Sequence, residues 1–157
     1  MRTFGARPSA AVCLLRLTVV VGAVLCVGPE ATGNEVLPFT PKRFVALGMI
    51  ESGNNDRARG EAGEISRVQI HPSVWRAYSR SRDYHDPSVS AEVARRHWDF
   101  LVRYFVLRTG RVPTDLDLYV LWNTKWGYYE RRAFRPLRVH PVVADRAQRF
   151  ANLVGSE

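Results

Sequence analysis

Beyond residue 33 the chain contains no cysteine, because both of its cysteines, Cys13 and Cys26, precede that point. A fold made from the remainder is therefore held by packing and not by disulfides, and thiol nucleophiles and thiolate metal sites are excluded from it. Lysine is almost missing too, with Lys42 and Lys125 set against 21 arginines. No G-x-S-x-G elbow and no phosphate-cradling glycine loop occurs. The four histidines, His71, His85, His97 and His140, show no paired ligand spacing, so no metal and no cofactor is expected. His97, on an apolar helical face, reads as a hydrogen-bonded core residue.

Long apolar runs are also scarce. The run Leu17–Val27 is 11 residues of apolar or small side chains, short of the ~20 that a membrane span needs. Arg2, Arg7 and Arg16 precede it and Ala31-Thr32-Gly33 follows, which is the layout of a secretory leader. The expectation is a leader over residues 1–33 and one exported domain over 34–157, located in the periplasm, the cell envelope or outside the cell. The alternative is an uncleaved anchor that also recruits residues 10–16. Cys26 follows Ala23-Val24-Leu25, which lacks the small residue a lipid-attachment site wants.

What is present is positive charge. Without Arg2, Arg7, Arg16 and Glu30, the chain keeps 20 cationic against 14 acidic residues, a net charge of +6. An exported basic protein is drawn to polyanions, and outside the cytoplasm these are cell-wall polymers and membrane surfaces more than nucleic acid.

Phe44 through Ile50 is seven residues without a polar side chain, and it ends at Glu51. Thr40 suits an N-cap, Pro41 the first helical position and Gly53 the stop, so the run reads as a buried helix of about a dozen residues. Phe44, Leu47 and Glu51 share one face, and Glu51 falls in the last turn, at the negative end of the helix dipole. Desolvation and that dipole both penalise the charged form. The carboxyl should stay protonated toward neutral pH, as a general acid must, unless the helix end frays and frees it to solvent.

The remaining pattern is mostly helical. Ser52 to Asp56 and the stretch holding Gly60 and Gly63 read as a loop or small hairpin near residues 56–70, closing on Ile65, Val68 and Ile70. Pro72 opens a short helix to Tyr78; Ser90 is taken as the cap of a helix over Ala91–Arg108, ended by Gly110. Thr114 with Asp117 marks another start, and Pro141 opens a last helix with Val143, Ala147, Phe150, Ala151 and Val154 as its stripe. Asn123 to Arg138 is aromatic and basic and has no clear period. There Trp126, Tyr128 and Tyr129, beside Lys125 and Arg131, are the best candidates for an exposed ligand wall.

Glu51-Ser52-Gly53, then Gly63-Glu64-Ile65-Ser66-Arg67-Val68-Gln69-Ile70, then Trp122-Asn123, in that order on a helical chain, resemble the lysozyme-like superfamily, nearest its soluble lytic transglycosylase and goose-type lysozyme branch. The likeness covers about residues 38–154. It implies a mainly α lysozyme-like fold acting on peptidoglycan glycan strands, at the β-1,4 bond between N-acetylmuramic acid and N-acetylglucosamine. By that resemblance Glu51 is the acid and then the base that closes a 1,6-anhydro ring, Ser52 supports it, and Gln69 and Asn123 hydrogen-bond sugar or hold the catalytic face, with Trp122 a supporting candidate beside them. Departures are plain. Where the family carries a small residue and then Gly-Leu-Met before the glutamine, Glu64, Ser66, Arg67 and Val68 stand here, and Ala-Tyr-Asn-Ala-Gly has become Leu121-Trp122-Asn123-Thr124-Lys125. Glu64 falls where animal-type lysozymes carry a second carboxylate, which implies hydrolysis; as a solvated loop residue it would instead pair with Arg67. A third outcome is a silent wall-binding scaffold of the same fold.

Overall fold

Among the described residues four α-helices begin on proline, a residue whose missing N–H is no loss in a first turn and whose fixed φ already suits a helix. The computed structural model describes residues 37–156, which carry α1 (Pro41–Ser52), α2 (Pro72–Tyr78), α3 (Pro87–Thr109), α4 (Asp115–Asn123), α5 (Trp126–Glu130), a 3₁₀ turn (Pro136–Arg138) and α6 (Pro141–Gly155). The expected leader lies outside the described residues. The architecture is mainly α, and no strand forms among these residues. Within them no helix is long and apolar enough to cross a membrane.

Local signals account for most boundaries. Thr40 accepts the Arg43 N–H at 3.2 Å, and Gly53 ends α1 at φ 66°. Thr114 and Asp117 form a reciprocal capping box at the start of α4. The start of α3 differs from expectation: Asp86 is the cap, accepting from Ser88 N and Val89 N at 2.7 and 3.0 Å, and Pro87 is the first helical residue. Ser90 lies one turn inside, buried, with no partner for its hydroxyl among the described residues. A carboxylate followed by proline outcompetes a serine four residues on.

The 56–70 excursion resolves as a loop. It holds isolated antiparallel bridges, Arg59 to Ile65 and Ile65 to Ile70, and no strand. Two left-handed residues, Ser66 (φ 67°) and Gln69 (φ 48°), bend the chain too sharply for a ladder to extend. Ile65, Val68 and Ile70 bury themselves against the helices and hold the loop down.

At the centre lies α4, whose Leu118, Tyr119, Val120 and Leu121 are all buried. It packs on α6 and on α3, and α6 also packs on α1. Phe150 of α6 stands between Trp98 and Tyr119, at ring distances of 6.0 and 5.5 Å. Through these contacts α4 is brought to the C-terminal end of α1, where Glu51 sits.

Candidate functional site

Glu51 follows a helix face buried through Ala46, Leu47 and Gly48, so its carboxyl starts from the interior and reaches outward. It is half-buried and opens into a groove of about 1100 Å³. Tyr119 donates its hydroxyl to Glu51 Oε1 at 2.7 Å, and Asn123, one helical turn further along α4, lines the same groove and favours the charged form of the carboxyl. Burial pushes the Glu51 pKa up, and it outweighs the opposing pull of Tyr119, Arg146 and Asn123; the nearby Glu64 charge adds to the rise. The phenol of Tyr119 is itself pushed up, by burial first and then by Glu51, so it stays a neutral donor.

The loop supplies a second part of the lining. Gly60, Glu64 and Gln69 border the groove, and they are crowded: a Cβ on Gly60 would stand 2.2 Å from Glu64 Oε2 and 2.7 Å from Gln69 Oε1. Glu64 Oε2 accepts the Ala62 N–H at 3.1 Å, while Gln69 Nε2 donates to the Ser66 carbonyl at 2.8 Å. The alternative pairing of Glu64 with Arg67 does not form. Arg67 reaches Asp56 instead, through bonds of 2.5 and 2.7 Å, and its guanidinium lies over the Phe44 ring.

Aromatic and cationic groups complete the lining. Trp122 donates Nε1 to the Val68 carbonyl at 3.1 Å and meets His97 edge-on at 5.1 Å. Trp126 is 43 % exposed and leans on Phe100 at 4.8 Å, while Lys125 and Arg146 contribute positive charge. His97 is buried, its Nδ1 is 3.1 Å from the Tyr78 hydroxyl, and desolvation pushes its pKa down to about 4. It is a neutral ring at physiological pH.

Of the residues singled out from sequence, Glu51, Glu64, Gln69, Trp122, Asn123 and Trp126 line one groove. Ser52 and Tyr128 do not. Ser52 staples the loop to α1, donating to the Arg67 carbonyl at 2.7 Å and accepting the Asn55 N–H at 3.1 Å. Tyr128 accepts the His140 N–H at 2.8 Å beneath the Arg132 guanidinium, and Tyr129 is core, donating to Asp117 Oδ1 at 2.6 Å. Trp126 is thus the one member of the expected aromatic wall that reaches the groove. Tyr119 and Arg146 went unnoticed in the sequence. Tyr119 had a signal, since it stands four residues before Asn123 on the same helix; Arg146 had none, being 95 positions from Glu51.

The constellation is suited to moving one proton in both directions. Burial favours the neutral carboxyl before transfer, and once the proton has left, the Tyr119 hydrogen bond, the neighbouring Asn123 and the Arg146 charge support the carboxylate. Among the described residues no group of histidine, cysteine, aspartate or glutamate is placed to hold a metal ion. Compared with family models, with curated proteins and with solved structures, the chain matches none of them.

Proposed function

We propose that this chain is an exported peptidoglycan lytic transglycosylase, cleaving the β-1,4 bond between N-acetylmuramic acid and N-acetylglucosamine with Glu51 as its one acid and base. The carrying observation is a carboxyl of raised pKa opening into a groove that also holds Gln69, Asn123 and an exposed tryptophan. Glu51 gives its proton to the glycosidic oxygen, and the N-acetylglucosamine side leaves with a free 4-hydroxyl. The resulting carboxylate, steadied by Tyr119 and Asn123, takes the proton of the muramic 6-hydroxyl as that oxygen closes on C1. The bond broken is replaced by a 1,6-anhydro bond, no water is consumed, and Glu51 is protonated again. Trp126 offers a face on which a sugar ring can stack.

Glu64 favours a second reading. It lines the same groove and has no cationic partner among the described residues, so it is free to serve as the second carboxylate of a hydrolytic lysozyme. Digestion of purified peptidoglycan, with products read by mass, separates the possibilities. Transglycosylation gives 1,6-anhydro ends that Glu51→Gln abolishes and Glu64→Gln retains. Hydrolysis gives products one water heavier, lost in both variants. Tight binding without any soluble product would leave a wall-binding scaffold.

A further inference from the structure

Leu137 is 98 % exposed, the most exposed large apolar side chain among the described residues. It does not sit on a loose tail. Phe134 and Val139 on either side of it are buried, and Phe134 packs on Phe105 and Tyr129 with ring distances of 5.3 Å to each. Ala133 and Phe134 both take left-handed backbone, at φ 53° and 50°, conformations that non-glycine residues hold only where their surroundings enforce them. From this braced turn the 3₁₀ segment Pro136–Arg138 carries Leu137 outward.

Its neighbours are all of one sign. Residues 131–138 contain Arg131, Arg132, Arg135 and Arg138 and no acid, and among the described residues none of the four guanidiniums has an ion-pair partner. Arg132 is occupied by stacking on Tyr128 at 3.5 Å, whereas Arg135 and Arg138, flanking the leucine, are exposed. Leu107, the next most exposed leucine, differs: the adjacent Arg108 is neutralised by Glu130.

We infer that the Arg131–Val139 segment docks on an anionic lipid bilayer, with Leu137 entering the acyl boundary and Arg135 and Arg138 taking headgroup phosphates. A soluble polyanion would use the arginines alone and leave the leucine in water. A protein partner would have to offer a pocket for this one leucine with acids placed around its rim, whereas the other large exposed apolar side chains that would extend such an interface lie elsewhere on the chain. A bilayer accepts both, since apolar depth and anionic headgroups lie within one side chain's length of each other. The placement has a consequence for the groove: α5 joins Trp126, which lines it, to the basic segment over five residues, about 7 Å of helix. A docked segment would therefore hold the groove beside the membrane surface.

The test uses the full chain, with residues 1–36 identical within each set of variants compared so that their contribution cancels, and vesicles of neutral phosphatidylcholine with or without phosphatidylglycerol. Leu137→Ser should weaken binding to the anionic vesicles about tenfold, and Arg135→Gln with Arg138→Gln should weaken it about fivefold for each charge removed. An environment-sensitive dye on Leu137→Cys, in a Cys13→Ser, Cys26→Ser background, should shift to the blue on anionic vesicles only, while the same dye on Leu153→Cys of α6 should not. A Leu137→Ser variant that binds as the parent does, or a dye at 137 that stays in water, overturns the inference and marks the patch as a binder of soluble polyanions. Equal binding to neutral vesicles overturns it as well.

Discussion

Glu51 and His97 border the same groove and respond to pH in opposite senses. The folded-state pKa of Glu51 lies above its ordinary 4.5, so the native state holds a proton that the unfolded chain releases, and stability falls as pH rises through that interval. Glu51→Gln removes the penalty. Thermal unfolding should show the variant more stable than the parent at pH 7, with the advantage fading as pH drops toward 4.5; an advantage independent of pH would contradict this. Loss of the proton donor should meanwhile lower turnover by ~10²–10⁴-fold. His97 works the other way. Its pKa falls from 6.5 to about 4, so the unfolded chain gains a proton that the native state refuses, and stability is lost as pH falls across that window, by about 3 kcal/mol in all. His97→Gln should flatten this slope in denaturant titrations at pH 4 and pH 7. An unchanged slope would place the ring in contact with water.

The loop and α1 meet through small contacts that can be removed singly. Ser52→Ala loses the bond to the Arg67 carbonyl and hands the exposed Asn55 N–H to water, at a cost of ~0.5–1.5 kcal/mol that denaturant titration would register. Gly60→Ala acts differently. Its backbone is outside the left-handed region, and the atoms its Cβ would strike are the far ends of Glu64 and Gln69, which can swing aside. Stability should stay within ~1 kcal/mol while turnover drops by up to ~10²-fold, as the groove loses its arrangement. A large stability loss with intact turnover would reverse the assignment.

These elements also show what a sequence discloses. The caps at Thr40, Gly53, Thr114 and Gly110 are local, set by residues within one turn, and were legible. Ser90 misled because a second cap stood four residues upstream, at Asp86. Residues 126–138 carry no period because α5 is five residues long and the turn after it rests on left-handed Ala133 and Phe134, which no glycine announces.

At the scale of the molecule, the site exists because α4 and α6 are packed beneath the end of α1. Phe150 touches both Trp98 and Tyr119, so Phe150→Ala should cost ~3–5 kcal/mol and, by loosening Tyr119, disturb Glu51 as well. This dependence explains why Arg146 was invisible: only the α1 to α6 packing brings its charge to a carboxyl far away in the chain. Glu51 could be picked out beforehand because it ends the apolar run over residues 44–50, although the expected all-round burial of that helix does not hold: Ala46, Leu47 and Gly48 are buried while Val45 and Met49 face solvent. The groove could not, since it is made by tertiary contacts.

The most direct measurement is a ¹³C NMR titration of the Glu51 side-chain carboxyl in the folded chain, repeated in Tyr119→Phe. Burial predicts a midpoint above 4.5, and loss of the phenol hydrogen bond, which favours the carboxylate, predicts a further rise in the variant. A midpoint at or below 4.5, unmoved by Tyr119→Phe, would mean a solvated carboxylate with no proton to give.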